Sequence, residues 1–238
     1  MHLAFRTAFV TLFSFIITYH CSAQESMKLI SSFAQFLEEK SDKSSYPEQY
    51  HFDFSFTVKQ NSPTESKTFY ILTSKTKKYF AMTSALEAND MIVFDTDLDQ
   101  MIVFCKIDTS KYAISGPLSF FDTNKSSLSK YNFTKTAPNV YTDSQKHIEI
   151  VLTQDSKFNN YGLKKGFWMI IQESSTLDIP LSEKGTILNV KKLEKGTSEG
   201  TSYSIIERND ININHSIKKS RLLDFSILAD STFMKQKD

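Results

Sequence analysis

Tyr50-His51-Phe52-Asp53-Phe54-Ser55-Phe56-Thr57-Val58-Lys59 alternates strictly between apolar and polar side chains. Successive side chains of an extended chain point to opposite faces, so this pattern predicts a half-buried antiparallel strand. Pro47, just upstream, separates that period of two from a stretch with a period near 3.6. Within residues 25–40, Ile30, Phe33, Ala34 and Leu37 fall at i, i+3, i+4 and i+7, one face of an amphipathic helix. Downstream, Asn61-Ser62-Pro63 turns the chain, and 67–73 and 78–83 read as the next two strands.

Met91-Ile92-Val93-Phe94 returns unchanged as Met101-Ile102-Val103-Phe104, with a polar loop from Asp95 to Gln100 between the copies. Two β-branched apolar runs joined by such a loop predict a hairpin. Further strands are expected at 112–115, 131–134, 147–153, 167–172, 186–193, 203–207 and 222–228. Turn residues fall between them at Gly116-Pro117, Ala137-Pro138-Asn139, Asn159-Asn160-Tyr161-Gly162, Lys165-Gly166, Lys184-Gly185 and Lys195-Gly196. Residues 115–130 carry the weakest pattern. The fold class is therefore mainly β: a large curved antiparallel sheet, half-barrel-like, with one N-terminal helix. No Pro/Gly/Ser-rich linker divides the chain, so 24–238 reads as one domain.

The chain has 238 residues, 40% of them hydrophobic, enough for a core without disulfide support. A formal net charge of +1 argues against a nucleic-acid partner. The basic side is almost all lysine; Arg6, Arg208 and Arg221 are the only arginines, which argues against bidentate anion recognition.

Residues 1–23 read as a signal peptide. Arg6 supplies the basic start, the apolar run Ala8 to Tyr19 is too short to span a membrane, and Cys21-Ser22-Ala23 offers a small-residue exit before Gln24. Lipid attachment at Cys21 fits less well, because Tyr19-His20 precedes it where small residues are usual. No later stretch is long enough for a transmembrane segment. Cleavage would leave Cys105 as the sole thiol, within an apolar run that reads as structural burial.

Catalytic signals are missing: there is no G-x-S-x-G, H-E-x-x-H, C-x-x-C or phosphate loop, and the whole chain has 6 glycines. His51, His147 and His215 are scattered, and no carboxylate pair stands out, so no enzyme activity and no cofactor are expected. Asp95, Asp97 and Asp99 resemble the start of a calcium loop, but Gln100 and Lys106 occupy the positions of its glycine and closing glutamate. A solvated turn explains the three aspartates as well. Trp168, read on a strand, either faces outward as a platform or packs in the sheet.

Three segments taken together resemble a known family: Tyr46-Pro47-Glu48-Gln49-Tyr50-His51-Phe52-Asp53-Phe54, then Tyr79-Phe80-Ala81-Met82, then the hairpin Met91 to Phe104. They are similar to an uncharacterised family of exported bacterial proteins, a domain of unknown function. Its members carry P-x-x-Y-x-F-D, Y-F-G/A-M and M-x-V-F-D in that order. The resemblance covers 46–105 and implies an exported antiparallel β protein, with a fold similar to the half-barrel of the periplasmic lipoprotein carriers. The family's I-x-G-Y-x-C segment is missing here, and no catalytic residues transfer.

The expectation that follows is a groove binding a lipid or a lipidated protein, lined by Phe33, Leu37, Phe52, Phe54, Phe56, Tyr70 and Phe80. The alternative is a secreted or surface module that binds protein or glycan through exposed aromatics such as Trp168, with no cavity.

Overall fold

The alternating decapeptide lies within strand β1 (Gln49–Asn61), at the middle of a long sheet. The computed structural model describes residues 43–226 except 87–89, 108–109, 122–130, 146, 173–177 and 194–199. The expected signal peptide, its cleavage site and the 25–40 helix with Phe33 and Leu37 lie outside the described residues.

After β1 come β2 (Ser66–Thr73), β3 (Tyr79–Thr83), β4 (Met91–Asp95), β5 (Gln100–Ile107) and β6 (Ser110–Pro117), each paired antiparallel with the one before. The second half supplies β7 (Thr134–Ala137), β8 (Val140–Asp143), β9 (Ile148–Thr153), β10 (Thr186–Leu193), β11 (Gly200–Ser216) and β12 (Leu222–Asp224). Together they make one twelve-stranded sheet in the order β12-β6-β5-β4-β3-β2-β1-β11-β10-β9-β8-β7. The two halves meet where β1 pairs with β11. The expected large curved antiparallel sheet is what forms, with one parallel pair at its edge, where β12 runs beside β6.

Both faces of the central strands are apolar. Adjacent residues fall into different clusters: Ile71, Phe80, Phe94, Val103, Ile114 and Leu223 in one, and Leu72, Ala81, Val93, Ile102, Ala113 and Leu222 in the other. With side chains alternating along each strand, the two clusters are the two faces of the sheet.

Helix α1 (Tyr161–Gln172) lies on the first face and touches β2, β3 and β10. The sheet curls around it. Just ahead of the helix, Phe158 O accepts from Thr186 Oγ1 on β10, while Asn160 Nδ2 donates to the carbonyl of Ser74, next to β2. Two residues of chain thus link strands that would stand about 14 Å apart in a flat sheet.

α1 corrects the sequence reading of 167–172 as a strand and of Asn159–Gly162 and Lys165-Gly166 as turns. Asn160 caps the helix, its Oδ1 accepting from Leu163 N at 3.0 Å. Gly166 is a contact residue: a Cβ there would stand 2.7 Å from Phe80 Cδ2 and 2.8 Å from Cε2. A residue type that weakens an isolated helix here lets the helix sit directly on the Phe80 ring.

Three other boundaries move. The strand expected at 131–134 is replaced by the β7–β8 hairpin, with Asn139 at φ 60° in its turn. β11 runs to Ser216 rather than stopping at 207, with register shifts opposite Phe52/Phe54 and Thr57/Val58. Of the segment 115–130 read as irregular, the first three residues end β6 and a 3-10 turn (Leu118–Phe120) follows.

Candidate functional site

Strand pairing lays apolar residues in rows across the inner face. One row runs Phe56, Ile71, Met82, Ile92, Val103 and Ile114 from β1 to β6. The row beside it carries Phe80, Phe94 and Met101, and α1 sits there through Gly162 and Gly166. The helix is narrower than the face beneath it. Phe56, Ile71, Phe80 and Phe94 are fully buried, whereas Phe69, Met82, Ile92 and Tyr112 pack against the cluster yet remain partly open. Leu188 and Tyr203, on β10 and β11, are half-buried in the same way.

The structure divides the groove residues proposed from sequence. Phe54, Phe56 and Phe80 share the inner face, but Phe52 is fully buried in the opposite cluster and Tyr70 packs against that cluster as well. The register shift between Phe52 and Phe54 accompanies the change of face, so the decapeptide does not present a single apolar side. Phe54 sits at the rim, with the Arg208 guanidinium 4.0 Å from its ring centre and Lys75 Nζ 5.2 Å away.

Trp168 is overturned as an outward platform: it is on α1 and 1% exposed. Tyr131 covers it edge-on, with ring centres 5.3 Å apart. The Tyr131 hydroxyl donates to Gln172 Oε1 in a short hydrogen bond, and Lys192 Nζ donates to the Ile171 carbonyl beside it. Burial, reinforced by the Asp143 charge, pushes the Tyr131 phenol up to about 12. Trp168 Nε1 and Gln172 Nε2 have no hydrogen-bond partner among the described residues. Phe121 meets Phe94 edge-on at 5.2 Å, so Phe121 and Tyr131 both pack on the inner-face cluster. Sequence reasoning missed the Tyr131–Trp168–Gln172 cluster because it rests on the helix; the spacing Leu163, Phe167, Ile171 was its available signal.

Asp95, Asp97 and Asp99 do not converge. Asp95 is 5% exposed and accepts from Tyr50 Oη at 2.9 Å and from the backbone N–H of Asp97 and Leu98, while Asp97 and Asp99 face solvent. No group of three or more His, Cys, Asp or Glu among the described residues is placed to hold a metal ion. The histidines do not share a site: His215 stands one register position from His51 on the paired strand, but the two rings have different partners. His51 bonds Asn214 and Asp53, His147 lies in the turn before β9, and His215 rests on the Phe104 ring, where burial lowers its pKa. Cys105 is buried, and that burial pushes its thiol up to about 11, which suppresses thiolate chemistry. A polar recess of about 290 Å³ lies at the other end of α1, lined by Thr153, Asp155, Lys164, Glu183, Lys184 and neighbours. Its lysines are balanced by its carboxylates.

No family model and no curated protein matches the sequence. Among solved structures, the chain is similar to an uncharacterised conserved protein from Thermus thermophilus. The identity is 9%, the TM-score is 0.39, and the match covers 80% of this chain and 98% of that one. It is also similar to a LolA superfamily protein from Nitrosomonas europaea, at 11% identity and a TM-score of 0.26, covering 76% and 94% of the two chains. At these scores the fold assignment rests on the strand pairing described above. No helix among the described residues is long and apolar enough to cross a membrane.

Proposed function

We propose that this is an exported, non-catalytic protein that binds an apolar ligand, a lipid or the acyl chain of a lipidated protein, on the inner face of its curved sheet beside α1. The observation that carries this reading is the mismatch, among the described residues, between an apolar face six strands wide and the one α-helix laid on it, with Phe69, Met82, Ile92 and Tyr112 only partly buried. Each CH₂ removed from water contributes about 0.8 kcal/mol, so about a dozen methylenes give on the order of 10 kcal/mol before ordering costs. Burial of Trp168 removes the feature that favoured a glycan- or protein-binding platform. Export follows from the reading of residues 1–23 as a signal peptide, with cleavage near Ala23/Gln24.

The test is a titration of the purified protein with a fluorescent long-chain acyl probe. Saturable binding is expected, weakened about tenfold or more in the double variant Met82→Gln, Ile92→Gln, because both residues lose apolar contact area. Wild-type protein that never saturates with the probe contradicts the proposal.

A further inference from the structure

Trp168 and Gln172 stand at i and i+4 on α1, on one side of the helix. Tyr131 joins them, its ring against the indole and its hydroxyl on Gln172 Oε1. The Gln172 amide is thereby oriented with its Nε2 directed away from Tyr131. Both Trp168 Nε1 and Gln172 Nε2 are buried donors without an acceptor among the described residues. A buried unmade hydrogen bond costs about 1–3 kcal/mol, and an indole N–H can only donate. The pair therefore matches an acceptor brought by something else. Both charge signs lie nearby: the Lys192 ammonium reaches the Ile171 carbonyl, and the Asp143 carboxylate acts on Tyr131. Paired donors set among apolar side chains suit an acceptor oxygen carried on a hydrocarbon chain.

We propose that Trp168 Nε1 and Gln172 Nε2 hold the carbonyl oxygen of an acyl group, either a free fatty carboxylate or an ester, and so fix which end of the chain lies against α1. The inference rests on the apolar-ligand reading above and adds the polar anchor to it.

The test measures displacement of a fluorescent acyl probe by palmitate, methyl palmitate and hexadecane. It uses the purified full chain, Gln172→Leu and Trp168→Phe. In the variants, palmitate and methyl palmitate should bind about tenfold more weakly, while hexadecane should compete as it does with wild type. Trp168 is the only tryptophan in the chain, so wild-type and Gln172→Leu proteins also report the site through its emission. Palmitate should shift that emission in wild type, and hexadecane should shift it less. A marked preference for palmitate over its ester identifies the carboxylate form of the anchor, and equal binding identifies the ester carbonyl. If both variants bind all three compounds as wild type does, the anchor is overturned and the binding reading stands. If wild type binds none of them, both fail. Should Trp168→Phe not fold, Gln172→Leu alone decides, because its change lies at the end of the helix.

Discussion

Tyr50 Oη donates to Asp95 Oδ2 at 2.9 Å, and Oδ1 of the same carboxylate takes two backbone N–H groups of its own turn. Burial, followed by the charge of Asp95, drives the Tyr50 phenol far above its ordinary range. Tyr50→Phe would leave a buried carboxylate oxygen short of a donor, and a loss of about 1–3 kcal/mol is expected, read as a lower urea midpoint. An unchanged midpoint would show that the bond contributes nothing. Asp53 lies within the same strand, where its register against β11 shifts. Its Oδ2 accepts from Lys75 N at 2.7 Å, and that bond, with His51 beside it, holds the carboxyl below its usual value. A lowered folded pKa means that the stabilisation is fully present above the unfolded value, about 3.9, and is lost as pH falls through the folded one. Asp53→Asn should therefore flatten the fall in stability below about pH 4, measured by urea unfolding at a series of pH values. Identical slopes in both proteins would remove Asp53 from the acid response.

At the scale of elements, β1 to β6 were legible because each carries its own signal: alternation in β1, the repeated apolar run in β4 and β5, and Gly-Pro at the end of β6. The Asp-rich loop was legible too, as a turn, since an aspartate bonding nearby backbone is a local event. α1 was not legible. Its sequence Tyr161-Gly162-Leu163-Lys164-Lys165-Gly166-Phe167-Trp168 carries two glycines that read locally as breaks, and their reason is a ring on a strand about 80 residues earlier. The division of Phe52 from Phe54 was hidden for a similar cause. Extra residues on β11 shift the pairing, and nothing within β1 announces them. Gly166→Ala tests the helix contact directly. Phe80 is fully buried and stacked on Phe94 at 5.1 Å, so it has little room to yield. Overpacking costs about 1–3 kcal/mol, and the gain in helix propensity returns at most about 1. A net loss of stability is expected, larger than for Gly162→Ala, whose nearest atoms stand at 3.1 Å. The reverse order, measured by thermal melting, would contradict the close seating of α1 on Phe80.

At the scale of the molecule, the described residues form one sheet that curls around one short α-helix, with Met82, Ile92 and other inner-face residues only partly buried. That imbalance was not readable from sequence, because hydrophobic periodicity marks which residues are apolar and leaves open what covers them. It is also the basis for treating the protein as a carrier or binder of apolar chains. The most direct test is to purify the protein gently from a host that exports it, extract it with organic solvent and analyse the extract by mass spectrometry beside the intact mass. The prediction is an acyl-bearing lipid at about one per chain, on a protein that begins near Gln24. A protein that is empty on isolation, and still empty after incubation with phospholipid vesicles, would contradict it.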